Sequence, residues 1–282
     1  MKTISTIKEI QNVIKEIKST KKKIGFVPTM GFLHDGHLSL MEQASRENDC
    51  VIVSIFVNPL QFGQNEDFDS YPRDIERDQF LAEKAGVHYL FVPSVTEMYP
   101  SKPSIEVKAK DRVDVLCGKS RPGHFDGVVT ILTKLFHIIQ PDRAYFGKKD
   151  AQQVAVVEGL INDLHFPVTL VPVPTIRETD GLAKSSRNVK LSDKERNQAP
   201  RIYHSLLQAK SMIKKGERSV GKIISVIKND ILENTDGNID YVEILSYPEL
   251  KKLNELKGTI IVAVAVHFVN ARLIDNITLE LN

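Results

Sequence analysis

Cysteine is scarce in this sequence and long apolar runs are missing, and each absence excludes classes of protein before any motif is read. Only Cys50 and Cys117 occur among 282 residues. That is too few for a disulfide framework, and no cysteine–histidine cluster at zinc-ligand spacing accompanies them. Both are expected as free thiols in a reducing cytoplasm. Cys50 opens the apolar run CVIVSIFV, and Cys117 precedes Gly118 in a stretch that reads as polar loop. No run reaches the roughly 18 apolar residues of a membrane span. Near the N-terminus Ile7, Ile10, Ile14 and Ile17 recur at helical spacing, but Glu9 and Glu16 interrupt the basic residues. With no apolar h-region or cleavage site following, this reads as an amphipathic surface helix and not a targeting signal. Charge of one sign is lacking as well. The 38 basic and 36 acidic residues are well mixed and leave a formal net charge of +2, which argues against a nucleic-acid coat or a membrane-surface patch.

What is present is the composition of an ordinary soluble globular protein, 41% hydrophobic and 26% charged. A chain of 282 residues exceeds the roughly 250 at which single cores stop growing, so two domains are expected. Over the first 175 or so residues, strand-like runs at 24–28, 50–57, 88–92, 143–146 and 168–173 alternate with helix-like stretches near 36–48, 73–85, 125–139 and 151–164. The strand runs are continuously apolar, as strands buried on both faces are. The pattern predicts a doubly wound parallel sheet of βαβ units, a Rossmann-like α/β domain over 1–177. Beyond it, Ser192 and Glu195 form a capping-box signature opening a helix that Gly216 ends, and a second helix follows near 220–232. Strand-like runs at 240–245, 259–269 and 277–281 complete a small α+β domain, 178–282, read as a lid.

The first informative segment is PTMGFLHDGH at 28–37, between a predicted strand and a predicted helix. In a doubly wound sheet that turn lies at the carboxyl edge, where ligands bind. Gly36 permits close backbone approach, and a helix N-terminus favours phosphate. His34 and His37, three apart, can present two imidazoles that offset charge on an α-phosphate under attack. A lone histidine more often caps or packs; a pair flanking glycine at this point of the fold favours chemistry. GKKD at 147–150 follows another strand, where lysine suits a phosphate and Asp150 suits ribose hydroxyls or a metal. GLAKSSRN at 181–188 sits near the domain boundary, where hydroxyls and a guanidinium can close over a triphosphate. Standing alone, either segment reads as a solvated basic loop.

The H-x-G-H pattern resembles the signature of the nucleotidyltransferase superfamily, which includes class I aminoacyl-tRNA synthetases and small adenylyltransferases. Five segments in order, PTMGFLHDGH, VSIFVNPLQF (53–62), RPGHFDGV (121–128), FGKKDAQQ (146–153) and DGLAKSSRN (180–188), narrow this. Together they resemble the pantothenate synthetase (pantoate–β-alanine ligase) family over nearly the whole chain. VSIFVNPLQF is the most discriminating, being foreign to tRNA synthetases and simple adenylyltransferases. Asn58 and Gln61 end the second strand and place two amides beside the nucleotide turn. A primary amide both donates and accepts, which suits a substrate carrying a carboxylate and hydroxyls.

The resemblance implies ATP-dependent condensation of (R)-pantoate with β-alanine to pantothenate, AMP and pyrophosphate, through a pantoyl-adenylate. By position, Met30, Gly31, Phe32, Leu33, His34, Asp35, Gly36 and His37 line the ATP site, with His37 in the proton-donor position. Gly147, Lys148, Lys149, Asp150, Lys184, Ser185, Ser186 and Arg187 hold adenosine and phosphates, and Ile176 lies near the adenine. His34, His37, Lys149 and Arg187 are the residues implied to offset charge in catalysis. Gln61 and Gln153 match pantoate contacts, and Gln61 also a β-alanine contact. Asp78 falls where an acidic residue lies near Mg²⁺, although Arg77 stands where a second acid is often found. Lys184 is a further departure, methionine being more usual. Arg121 and His124 belong to the shared pattern without an assigned chemical role. A cytoplasmic homodimer is implied, with no nucleic-acid or membrane partner. The rival readings are an adenylyltransferase that stops after nucleotidyl transfer, a tRNA synthetase, for which the chain is short, and a nucleotide-sensing module without turnover.

Overall fold

The computed structural model describes residues 1–63, 66 and 68–281. In chain order the elements are β1 (Lys2–Ile4), α1 (Ile7–Ser19), β2 (Ile24–Thr29), α2 (Asp35–Glu47), β3 (Cys50–Ile55), α3 (Ile75–Lys84), β4 (Tyr89–Phe91), α4 (Val95–Met98), α5 (Leu116–Ser120), α6 (His124–Ile139), β5 (Arg143–Gly147), α7 (Ala151–Asp163), β6 (Thr169–Val173), α8 (Asp193–Gln198), α9 (Arg201–Lys214), α10 (Val220–Asn234), β7 (Asn238–Ser246), β8 (Gly258–His267) and β9 (Arg272–Leu281). Short 3₁₀ turns lie at Pro59–Gln61, Lys148–Asp150 and Ser186–Lys190. The chain divides into two compact units. Unit 1 comprises Met1–Lys110, Arg121–Lys148 and Val156–Pro174, and unit 2 comprises Asp111–Ser120, Lys149–Ala155 and Thr175–Asn282.

Unit 1 is built on a six-stranded sheet in the order β1-β4-β3-β2-β5-β6, with every pairing parallel. The continuous apolar runs have the reason expected for them: all six residues of β3 are buried, and five of six in β2. Parallel strands covered by helices on both faces have no solvent side to pattern. Val27, Leu33, Leu40, Met41, Val53 and Leu90 belong to one core cluster, each contributing roughly 1.5–3 kcal/mol by leaving water. α1 buries Ile10, Val13, Ile14 and Ile17, and Thr6 caps its start by accepting from Glu9 N–H. The edge strand β1 escapes a reading of the sequence, since three residues carry no period.

Unit 2 packs α9 and α10 on the antiparallel sheet β7-β8-β9. Ile202, Leu206, Ile213, Ile223, Ile227 and Ile231 meet Val262, Val264 and Val266 there. The single helix expected from Ser192 to Gly216 is two. Ser192 and Glu195 do form a capping box, but Pro200 has no N–H to continue the ladder, and the chain turns at Ala199–Pro200 before α9. β9 begins at Arg272, five residues before the expected strand at 277. Its polar first half hides an apolar pattern because Arg272 and Asp275 make inward ion pairs, to Asp240 and Arg177. Cys117 lies in helix α5 and not in a polar loop; it is buried, with its thiol 3.2 Å from the Tyr241 hydroxyl and 3.4 Å from the Arg272 guanidinium. Both cysteines are free, and burial pushes the Cys50 thiol up to about 11. Among the described residues no helix is long and apolar enough to cross a membrane.

Candidate active site

In unit 1 the sheet order reverses at β2, which is followed in sequence by β3 on one side and flanked by β5 on the other. The carboxyl ends of three adjacent strands therefore carry the segments singled out above: 30–37 after β2, 58–61 after β3, and Gly147–Lys148 after β5. This is the topological switch point at which α/β sheets bind ligands. A side chain at Gly147 would meet no atom within 4 Å, so space lies open beside that backbone.

The loop after β2 is unusual in conformation. Gly31 and Phe32 both have positive φ, 82° and 51°, a left-handed pair that costs about 1–2 kcal/mol at the non-glycine residue. A Cβ on Gly31 would lie 2.9 Å from Ile55 Cγ2 and 3.0 Å from Asp78 Oδ2. Asp78, at the start of α3 and 1% exposed, accepts from Phe32 N–H through Oδ2 and from Leu33 N–H through Oδ1, each at 2.7 Å. Beside it Arg77 donates to Leu33 O at 2.9 Å and lies over the Phe32 ring at 5.4 Å. Leu33 itself is fully buried in the core, so it offers no side chain to a ligand, and its backbone N–H is committed to Asp78. Burial pushes the Asp78 carboxyl above its ordinary value, outweighing the backbone donors of Leu33 and Phe32.

His34 and His37 form a reciprocal cap at the start of α2. His34 Nδ1 accepts from Gly36 N–H at 3.1 Å, and His37 Nδ1 accepts from His34 N–H at 3.3 Å. The rings stand 4.1 Å apart. Backbone N–H groups can only donate, so both rings are assigned as neutral imidazoles protonated at Nε2. The histidines thus cap and also present N–H donors at the positive end of a 13-residue helix, an arrangement suited to anionic oxygens. The half-buried Gly36 adds no side chain, and Asp35 is exposed.

After β3, the two amides part company. Asn58 is fully buried; it donates to Gly127 O and accepts from Leu60 N–H and the Tyr99 hydroxyl, which leaves it structural. Gln61 is 9% exposed, and among the described residues its side-chain amide has no partner. Its backbone carbonyl is gripped instead, by His124 Nδ1–H at 2.8 Å and Arg121 at 3.2 Å, with Arg121 also paired to Glu66. That supplies Arg121 and His124 with a task the sequence did not reveal. Gly127 completes it: a Cβ there would stand 2.3 Å from Leu60 O, so only glycine lets α6 press against this turn.

In unit 2, Gln152 and Gln153 likewise differ. Gln152 donates to Arg112 O and Val115 O and accepts from Gly118 N–H, whereas the half-buried Gln153 has no partner among the described residues. Lys149 is half-buried, and its carbonyl accepts from Asn276. Lys148 and Asp150 are exposed. Residues 176–184 form a tight hairpin, with Lys184 N–H donating to the carbonyl of the half-buried Ile176 and Gly181 at φ 94° in its turn. Arg177 ties this hairpin to β9 through both oxygens of Asp275, at 2.6 and 2.9 Å. Lys184 pairs with Glu178 at 2.8 Å. Ser185 caps the 3₁₀ turn that carries Ser186 and Arg187, accepting from Arg187 N–H.

Among the described residues no group of three or more His, Cys, Asp or Glu is placed to hold a metal ion. Asp78 fits that task poorly, because both oxygens already accept backbone N–H groups and a guanidinium lies beside it.

Residues 2–278 match the family model described as pantoate-beta-alanine ligase. The chain is 61% identical over 275 residues to the pantothenate synthetase of Geobacillus sp. (strain WCH70), covering 98% of each. It is 60% identical over 279 residues to that of Bacillus cytotoxicus, covering 99% of each. A crystal structure of pantothenate synthetase from Thermus thermophilus superposes with a TM-score of 0.93 at 44% identity, covering 98% of this chain and 99% of that one. The pantoate-beta-alanine ligase of Francisella tularensis, complexed with beta-gamma ATP and beta-alanine, gives 0.82 at 34% identity, covering 98% and 97%.

Proposed function

The chain belongs to the pantoate-beta-alanine ligase family, and on that premise we propose how its residues divide the ATP-dependent joining of pantoate to β-alanine. A carboxylate is a poor acylating agent at neutral pH. Pantoate therefore attacks the α-phosphorus of ATP, the bond to the β,γ-diphosphate breaks, and pyrophosphate leaves. The β-alanine amine then attacks the resulting mixed anhydride, expelling AMP and losing its proton. Shielding that anhydride from water prevents its hydrolysis.

In this reading His34 and His37 donate Nε2–H hydrogen bonds to phosphate oxygens as charge builds, and Lys149 and Arg187 add fixed cations. His37 acts as a hydrogen-bond donor in neutral form, since protonation at Nδ1 would set a proton against His34 N–H. Gln61 and Gln153 recognise pantoate hydroxyls and carboxylate, with Gln61 also serving β-alanine. Gly147, Lys148, Asp150, Ile176 and Lys184–Ser186 contact the nucleotide. Mg²⁺ arrives bound to the ATP phosphates as part of the substrate. Family membership supports a homodimer, testable by light scattering, and the ATP requirement supports a cytoplasmic site of action.

The observation that carries this proposal is the reciprocal histidine cap, which fixes two imidazole donors at a helix N-terminus on the carboxyl edge of the sheet. Exchange of labelled pyrophosphate into ATP should require pantoate and proceed without β-alanine. Strict dependence on β-alanine would contradict the two-step order, and a stable adenylylated product in place of AMP would indicate a nucleotidyltransferase.

A further inference from the structure

We infer that Asp78 is a positioning residue for the nucleotide loop and not a metal ligand, and that Arg77 is its counterpart on the same loop. The inference rests on the function proposed above and assigns the first turn of α3 a part in it.

Asp78 reads the loop backbone through two donors, Phe32 N–H and Leu33 N–H, and Arg77 reads it through one acceptor, Leu33 O. Together they satisfy every backbone polar group of Leu33 and hold Phe32 at its positive φ. His34 follows immediately, so the tilt of Leu33 sets where the histidine cap begins. The Asp78 bonds use one lone pair on each oxygen from within a site 1% exposed. A divalent ion would have to displace two 2.7 Å bonds or enter beside the Arg77 guanidinium, where like charge repels it. Nothing in the arrangement resembles the oxygen-rich, partly hydrated shell that Mg²⁺ requires.

Ionising this carboxyl in the folded protein carries a cost. Burial raises it above its ordinary value, so the ionised form costs stability at neutral pH, and the cost falls as the pH drops. A group kept charged against that cost, and aimed at a left-handed pair beside the reacting site, fits a constraint serving function. Arg77 strengthens the clamp on the carbonyl side and makes the local field less hospitable to a cation.

The test compares the wild type with Asp78→Asn and Arg77→Ala in three measurements: ATP affinity by calorimetry without pantoate, pantoate-dependent ATP–pyrophosphate exchange, and Mg²⁺ activation at saturating ATP. Asparagine keeps the shape but turns an NH₂ toward one of the two backbone donors. Asp78→Asn should weaken ATP binding measured by calorimetry and lower exchange kcat/KM for ATP by about 10²-fold, in the range for losing a preorganised contact. It should leave the pantoate KM within about twofold and the Mg²⁺ half-activation point unmoved. Its Tm should change by less than about 5 °C. Arg77→Ala should show the same pattern at about tenfold. A half-activation point that moves to higher Mg²⁺, with activity restored by excess metal, would overturn the inference in favour of ligation. Equal losses for ATP and pantoate with a collapse in Tm would overturn it in favour of a general structural role, and unchanged ATP kinetics would overturn it outright. A wild type that binds ATP without pantoate-dependent exchange would sink the functional reading alone, because the Asp78→Asn loss of ATP affinity would still be measurable. A wild type that binds no ATP would sink both.

Discussion

The loop 30–37 of unit 1 and the turn 184–188 of unit 2 are both proposed to meet phosphate, yet the bonds described for them differ in reach. Three bonds within the turn are local: Ser185 caps Arg187 N–H, Lys184 N–H reaches Ile176 O, and Asn188 Nδ2 donates to Ala183 O, none of the three spanning more than eight residues. The loop is held from far away, by Asp78 and Arg77 across 44–46 residues. A locally held segment carries its geometry in its own motif. A remotely held one can be spoiled by substitutions in a helix that bears no motif at all.

The largest effect that would sharpen this contrast is loss of a histidine from the remotely held loop. His37→Ala removes a donor and half of the cap, and should lower kcat/KM by about 10²–10³-fold in steady-state AMP formation. Near-normal turnover in a folded variant would remove this loop from the chemistry. Gly31→Ala should follow. The substitution combines a positive φ with Cβ contacts of 2.9 and 3.0 Å to Ile55 and Asp78. Strain of about 2 kcal/mol at such a position corresponds to roughly thirtyfold in ATP kcat/KM, with pantoate KM little changed.

A stability effect without an activity effect should come from unit 2. Glu195 uses both carboxylate oxygens, accepting from Ser192 N–H, the Ser192 hydroxyl and Val269 N–H. The backbone donors of Ser192 and Val269 hold its carboxyl below the ordinary glutamate value. A depressed folded value means the contribution is present above the unfolded value, near about 4.3, and is lost as the pH falls through the folded one. Glu195→Gln should therefore melt a few degrees below the wild type at pH 7, with the gap narrowing below about pH 4, while kcat at pH 7 is kept. A gap constant with pH would show that charge is not involved. The smallest effect is expected at Lys184. Its ammonium is already paired with Glu178, and a partly exposed pair contributes about 1 kcal/mol or less. Lys184→Met should keep kcat within about threefold and shift ATP KM by less than tenfold, roughly 1.4 kcal/mol. A collapse in kcat would show that even a locally held turn can carry a catalytic cation.

Much of unit 1 was legible in the sequence because both-face burial leaves unbroken apolar runs, as in β2 and β3, and glycine with a polar pair marks the turn that follows. The Ser192–Glu195 box was legible for the same local reason. Partnerships across sequence were not. VSIFVNPLQF suggests two available amides, and only packing reveals that Asn58 is consumed by Gly127 and Tyr99. The same holds for Gln152 against Gln153, adjacent residues whose helical positions send one inward and leave one without a protein partner among the described residues. β9 was half hidden because Arg272 and Asp275 look like loop residues until their partners, Asp240 and Arg177, are known. The resemblance implied a place near Mg²⁺ for Asp78, and only packing reveals its hydrogen bonds to the Phe32 and Leu33 backbone.

The distance between the loop and its clamp also bears on how the protein is made. Phe32 leaves the ribosome 46 residues ahead of Asp78, a lag of roughly two to nine seconds at the usual 5–20 residues per second. Throughout that interval the nascent chain carries a complete H-x-G-H signature without the carboxylate and guanidinium that hold Phe32 and Leu33. If the clamp has the role inferred for it, nucleotide binding waits for α3, and a fragment ending short of Asp78 should be blind to ATP however well its own motif is preserved.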